Sequence, residues 1–169
     1  MEFAEFFDAT WYTILEEEAQ VLVTQSVELI QREERLHSSF HDYSFLVFPM
    51  AKAYESFLKK FLFTLGFIDR NQYEHRQFRI GRSLNPDIPH RHRDEFWLYD
   101  NLVSACGPET AHELWDTWLT GRNHIFHYFP DEKSNITLEQ AGRLLILMSN
   151  TMEKACACVK DHSRLQRGW

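Results

Sequence analysis

Apolar residues recur at helical spacing along most of this chain. From about Phe6 to Leu36, Trp11, Ile14, Leu15, Val21, Leu22, Val27, Leu29 and Ile30 stand among glutamates and glutamines, the pattern of one long amphipathic helix. The polar stretch from His37 to Asp42 breaks it. Asp42 can cap a second helix running to Gly66, with Pro49 as a kink or near the true start. The apolar content of that helix, with Phe45, Leu46, Phe57, Leu58, Phe61, Leu62 and Leu65, implies a central position. Residues 67–90 hold Gly81, Asn85, Pro86 and Pro89 and predict an irregular connection with a short helix over Asn71 to Phe78. Arg91 to Cys106 is expected to be helical, and Gly107-Pro108 ends it and opens the next helix, since proline is favoured at a first helical position. That next helix runs from Glu109 to about Phe129, where Pro130 stops it. Thr137 then caps a last helix through Val159, and the tail from Asp161 is expected to fray. No alternation is long enough for a sheet and no segment repeats at a fixed period. The expected fold class is all-α: a bundle of four to five main helices with short accessory helices, forming a single domain over residues 1–169.

Composition supports a compact chain, with 44% hydrophobic residues and only 6 Gly and 5 Pro. The start, Met1 to Tyr12, has no cationic segment, and the longest apolar run, Phe45 to Ala51, is far short of the roughly 20 residues a bilayer span requires. A cytoplasmic protein with no membrane association is expected. Cys106, Cys156 and Cys158 form no CxxC pair and leave an odd thiol, which suits a reducing compartment and argues against a cysteine zinc site. The net charge of -7 argues against a general polyanion binder until its location is considered. Residues 1–35 hold nine acids and two bases and account for the whole excess, whereas Arg70 to Arg93 holds six arginines against only Glu74 and Asp87. A local anion site is therefore permitted.

The chemistry concentrates in Arg122-Asn123-His124-Ile125-Phe126-His127. On a continuous helix Asn123 and His127, four apart, share one face. An arginine fork can hold phosphate oxygens, and a histidine can move a proton to or from an attacking or leaving oxygen. Spacing alone is weak evidence, because Arg32 to His37 and Arg70 to His75 share it, and a chain of this composition yields on the order of one chance match. Context separates the three. Glutamates stand between Arg and His in both other copies, where they would neutralise the arginine, while the residues inside the third are apolar or imidazole.

Arg-Asn-x-x-x-His late in a helical bundle, followed by one long apolar helix, resembles the signature of the HEPN superfamily. Within it, the stretch Phe48 to Leu62 followed by an Ile-Gly turn is similar to the catalytic domain of RNase LS-type toxins of bacterial toxin and antitoxin systems; the likeness spans roughly Phe45 to Lys160. The resemblance implies a metal-independent endoribonuclease without a cofactor, acting on an RNA substrate as a homodimer in which two motifs share a cleft, with an antitoxin protein as a further partner. It assigns phosphate contact to Arg122, positioning to Asn123, proton transfer to His127 and an assisting carboxylate to Glu55. His124, three residues before His127, would flank the cleft.

Two other classes stand beside this reading. Glu34-x-x-His37 and Glu109-x-x-His112 match the ligand pattern of di-iron helical bundles, with Glu55 available as a bridging carboxylate, although both pairs fall at expected helix ends. Alternatively the domain is a non-catalytic module, in which Arg and His only grip RNA, a nucleotide or a partner. The arginine-rich Arg70 to Arg93 stretch with Tyr73 and Phe78 would serve that role.

Overall fold

A computed structural model describes residues 2–75, 78–127 and 135–159. After a 3-10 turn, Ala4–Asp8, come α1 (Thr10–Thr13), α2 (Glu17–Leu36), α3 (Ser44–Thr64), α4 (Arg70–Glu74) and α5 (Ile80–Leu84). A second 3-10 turn, His90–His92, leads to α6 (Tyr99–Trp118), a π-helical turn (Leu119–Asn123), α7 (His124–Phe126) and α8 (Leu138–Cys158). The protein is an all-α bundle with α2, α3, α6 and α8 as its long members, and no strand occurs among the described residues.

Periodicity explains the bundle. On α2 the buried positions Ala19, Val23, Ser26, Val27 and Ile30 form one stripe, and on α8 Ala141, Leu145, Met148, Met152 and Ala155 form another. Both pack on α3, and α8 also packs on α6. The start of α8 carries the expected cap: Thr137 Oγ1 accepts from Gln140 N at 3.2 Å while the Gln140 amide accepts from Thr137 N at 2.7 Å. The N-cap of α3 is Tyr43 rather than the expected Asp42, which lies one residue outside; Asp42 accepts from the Ser44 N–H at 3.1 Å and from Ile136 N at 3.1 Å, which ties the start of α3 to the start of α8. Pro49 lies inside α3. The N–H next to it, of Met50, donates to buried Ser26 Oγ of α2 at 2.8 Å, so the irregularity joins two helices.

The expected single helix from Phe6 to Leu36 is broken between α1 and α2, where Glu16 is extended. Trp11 is the cause. Its indole is fully buried, donates to Ser149 Oγ of α8 at 3.1 Å and meets Phe6 edge-on. Burying roughly 200 Å² of indole contributes roughly 5 kcal/mol, more than the roughly 3 kcal/mol net of three helical hydrogen bonds. The Gln20 amide then donates to the Tyr12 and Leu15 carbonyls, at 3.0 and 3.3 Å.

The connection from α3 to α6 is more ordered than its glycine and prolines suggested. The Asp69–Gln72 capping box holds α4, which ends at Glu74 short of the expected Phe78. Ile80–Leu84 is helical rather than irregular because Ile80, Ser83 and Leu84 are buried. Gly81 makes that burial possible, since a Cβ there would stand 2.7 Å from Trp118 Nε1. By contrast the helix expected from Arg91 starts only at Tyr99. Asp94 and Arg93 hold the preceding residues otherwise: Asp94 accepts from Phe96 N at 3.1 Å and pairs with Arg82 at 2.6 Å, and the Arg93 guanidinium lies 3.9 Å from the Trp97 ring centroid. The break read from Gly107-Pro108 is present, with Gly107 at φ 84° inside an otherwise helical α6.

One cysteine of the odd number remains a thiol, and the other two are joined. Cys106 of α6 and Cys158 at the end of α8 form a disulfide with their Cα atoms 5.1 Å apart. Distance along the chain hid this pairing, since the two are 52 residues apart and only helix packing joins them. Cys156 stays a thiol, buried and pushed up to about 12 by that burial. Among the described residues no helix is long and apolar enough to cross a membrane.

Candidate functional site

The last turns of α6 are held on two sides. From α3, buried Tyr54 donates its hydroxyl to the Leu114 carbonyl at 2.9 Å, and desolvation raises that phenol well above its ordinary pKa, keeping it a donor. From α8, Thr151 exchanges a 2.8 Å hydrogen bond with Thr117. Gly121 is buried against Met148, whose terminal methyl would have to turn aside for a Cβ there. At this seat the helix widens into the π-helical turn, whose additional residue changes which side chains point outward.

Arg122 leaves the turn over the Trp118 ring, 4.8 Å from its centroid, and its guanidinium reaches Glu55 of α3 at 3.8 Å. Both side chains are about one-third exposed, so the pair contributes little stability and leaves the guanidinium able to turn toward an anion. His127 follows the last helical residue in extended conformation, with φ -111° and ψ 139°. It therefore does not share a helical face with Asn123 as a helix to Phe129 would require; Phe129 itself lies outside the described residues.

One open cavity of about 380 Å³ collects three of the four expected site residues. Phe48, Lys52 and Glu55 line it from α3, and Arg122, Phe126 and His127 from the motif segment. Asn123 closes the π-helical turn half-buried, and His124 is exposed; neither lines the cavity. Lys52 and Glu55 also line an adjoining groove of about 400 Å³ that continues to Ser56, Lys59 and Tyr73. The cavity thus brings two cations, one carboxylate and an imidazole around an apolar wall, where Phe48 and Phe126 meet edge-on at 5.3 Å.

Lys52, Phe48 and Phe126 escaped the sequence reading. A signal existed: Phe48, Lys52, Glu55 and Lys59, spaced four, three and four, form the face of α3 that is not buried, on a helix whose other positions are mostly core. Of the other two copies of the spacing, Arg70 is bound to Glu74 at 3.0 Å, and His37 caps α2 in a left-handed conformation. The di-iron pattern does not assemble. His112 faces Asp116 at 3.1 Å, and among the described residues no three His, Cys, Asp or Glu side chains stand together as a metal site.

No family model, curated protein or solved structure matches this chain.

Proposed function

We propose that this chain is a HEPN-type endoribonuclease that cleaves single-stranded RNA without a metal, working as a homodimer. The observation that carries the reading is the convergence of Glu55 with Arg122 and His127 in one cavity, from segments 67 residues apart along the chain. The cavity holds a single carboxylate against two cations, a set better suited to an anion than to a divalent cation. In the proposed reaction the ribose 2'-hydroxyl loses its proton and attacks the adjacent phosphorus. The bond to the 5'-oxygen breaks, that oxygen receives a proton, and a 2',3'-cyclic phosphate forms. His127 moves one of the two protons, and the partner copy's histidine supplies the other. Arg122 and Lys52 meet the charge on the non-bridging oxygens, and Glu55 holds Arg122 in place until the phosphate arrives. Asn123 keeps its positioning role through the turn it ends.

The mouth of the cavity supports a second copy. Phe40, Phe45 and Phe48 are 54%, 44% and 52% exposed and continue into Phe126, an apolar ridge of the kind that a partner surface covers. An effector of the toxin class, held by an antitoxin protein, is the biological role this chemistry fits. The test uses purified protein and an RNA oligonucleotide in excess EDTA. Cutting should persist, leave a cyclic phosphate, and fail on a substrate with one 2'-deoxy residue at the cut site. Cutting that stops on chelation, or proceeds equally on DNA, removes the mechanism.

A further inference from the structure

A second cavity of about 380 Å³ lies between α4 and α5, and it shares no residue with the Arg122 cavity. Two phenyl rings furnish it: Phe78 is buried, and Phe96 is 39% exposed. Arg82 lines it from α5, Arg79 from the position just before that helix, and Asn71 from α4. The local charge is positive for a structural reason. Glu74 is engaged by Arg70 at 3.0 Å and Asp94 by Arg82 at 2.6 Å, and no Asp or Glu is among the residues that line the cavity. Arg82 is also held by the His92 carbonyl at 3.2 Å, which orients its fork and leaves further N–H donors for a ligand.

We propose that this cavity is a nucleotide-binding site. Aromatic walls accept the face of a base, the Asn71 amide offers both a donor and an acceptor to a base edge, and arginine binds phosphate. The volume is at the small end of ligand sites, which suits one nucleotide rather than a length of strand. The site rests on its own geometry and stands whether or not the Arg122 cavity is a nuclease centre. The nucleotide is either free in solution or an unpaired residue of an RNA strand.

Calorimetric titration of the full chain with AMP and UMP should show saturable one-to-one binding. Adenosine, without phosphate, and ribose 5-phosphate, without base, should each bind more weakly. Phe96→Ala and Arg79→Gln, both at exposed side chains, should each weaken AMP or UMP binding about tenfold or more, with circular dichroism unchanged. His127→Ala should leave it unaltered. With His127→Ala protein, which does not cut the probe, a fluorescein-labelled single-stranded RNA that AMP displaces identifies the strand as the source; AMP binding that leaves the RNA in place identifies the free nucleotide. The proposal is overturned if neither nucleotide saturates at millimolar concentration, if both cavity variants bind like the parent, or if His127→Ala abolishes binding and so moves the nucleotide to the other cavity.

Discussion

The string Arg-Asn-x-x-x-His occurs twice, at Arg70–His75 and at Arg122–His127, and the two copies meet different surroundings. In the first, Arg70 sits on the five-residue helix α4 and closes onto Glu74 one turn away, with both side chains more than 60% exposed. In the second, the arginine lies over Trp118 and its carboxylate comes from another helix, Glu55 of α3. A local ion pair is complete by itself and mostly solvated. His75 lines the cavity between α4 and α5 without Arg70 or Glu74, whereas His127 lines a cavity that Arg122 and Glu55 line as well, so only the second copy brings its arginine, histidine and carboxylate together. The chemical potential of a motif is thus decided by what packs behind it: Gly121 on Met148, and Tyr54 on the Leu114 carbonyl.

The largest effect should separate the two histidines. His127→Ala is expected to lower kcat for RNA cleavage by about 10²- to 10⁴-fold, the range of a lost general acid or base, with unchanged helical circular dichroism, whereas His75→Ala, in the other cavity, leaves kcat within about twofold of the parent. Inactivation by His75→Ala instead would assign the chemistry to the wrong copy. Next in size, Arg122→Ala should cost about 10²- to 10³-fold in kcat, and Arg70→Ala nearly nothing; equal losses in the two variants would break the contrast. The seat behind the motif gives a third and smaller effect. Gly121→Ala should destabilise by about 1 kcal/mol, the low end for overpacking, because the Met148 methyl it meets ends a flexible side chain, read from a denaturant midpoint. Adding Met148→Ala should make the double variant less costly than the two single costs together; strict additivity would show that the two residues do not collide.

The smallest effect concerns α3, where the neighbours Lys59 and Lys60 differ as the two motifs do. Lys59 is half-buried beside the groove, while Lys60 is buried, and its desolvation lowers its pKa to about 8 against an opposing pull from Glu16. The unfolded chain, with a lysine near about 10.4, then binds more protons than the folded one between about pH 8 and pH 10. Unfolding free energy should therefore rise gently with pH across that window, with the penalty fully present below it. Lys60→Met should flatten the rise, and an unchanged slope would assign it to other groups.

Periodicity made the long helices legible. The stripes on α2 and α8, the Thr137 cap and the Gly107 break follow from residue spacing and backbone preference, which act within a few positions of each other. Arg122 and His127 stood out for a similar reason, since no glutamate lay between them to neutralise the arginine. The break before α2, the π-helical turn, helix α5 and the Cys106–Cys158 disulfide were not legible. Each depends on a residue far along the chain: Ser149 for Trp11, Met148 for Gly121, Trp118 for Gly81, and α8 for Cys106. Local sequence thus determined which segments coil and which side chains could handle a phosphate. Only the packing of α3 against the π-helical turn decided that Lys52, Glu55, Arg122 and His127 share one cavity, because burial energy is set by the face an element meets and not by its neighbours in the chain.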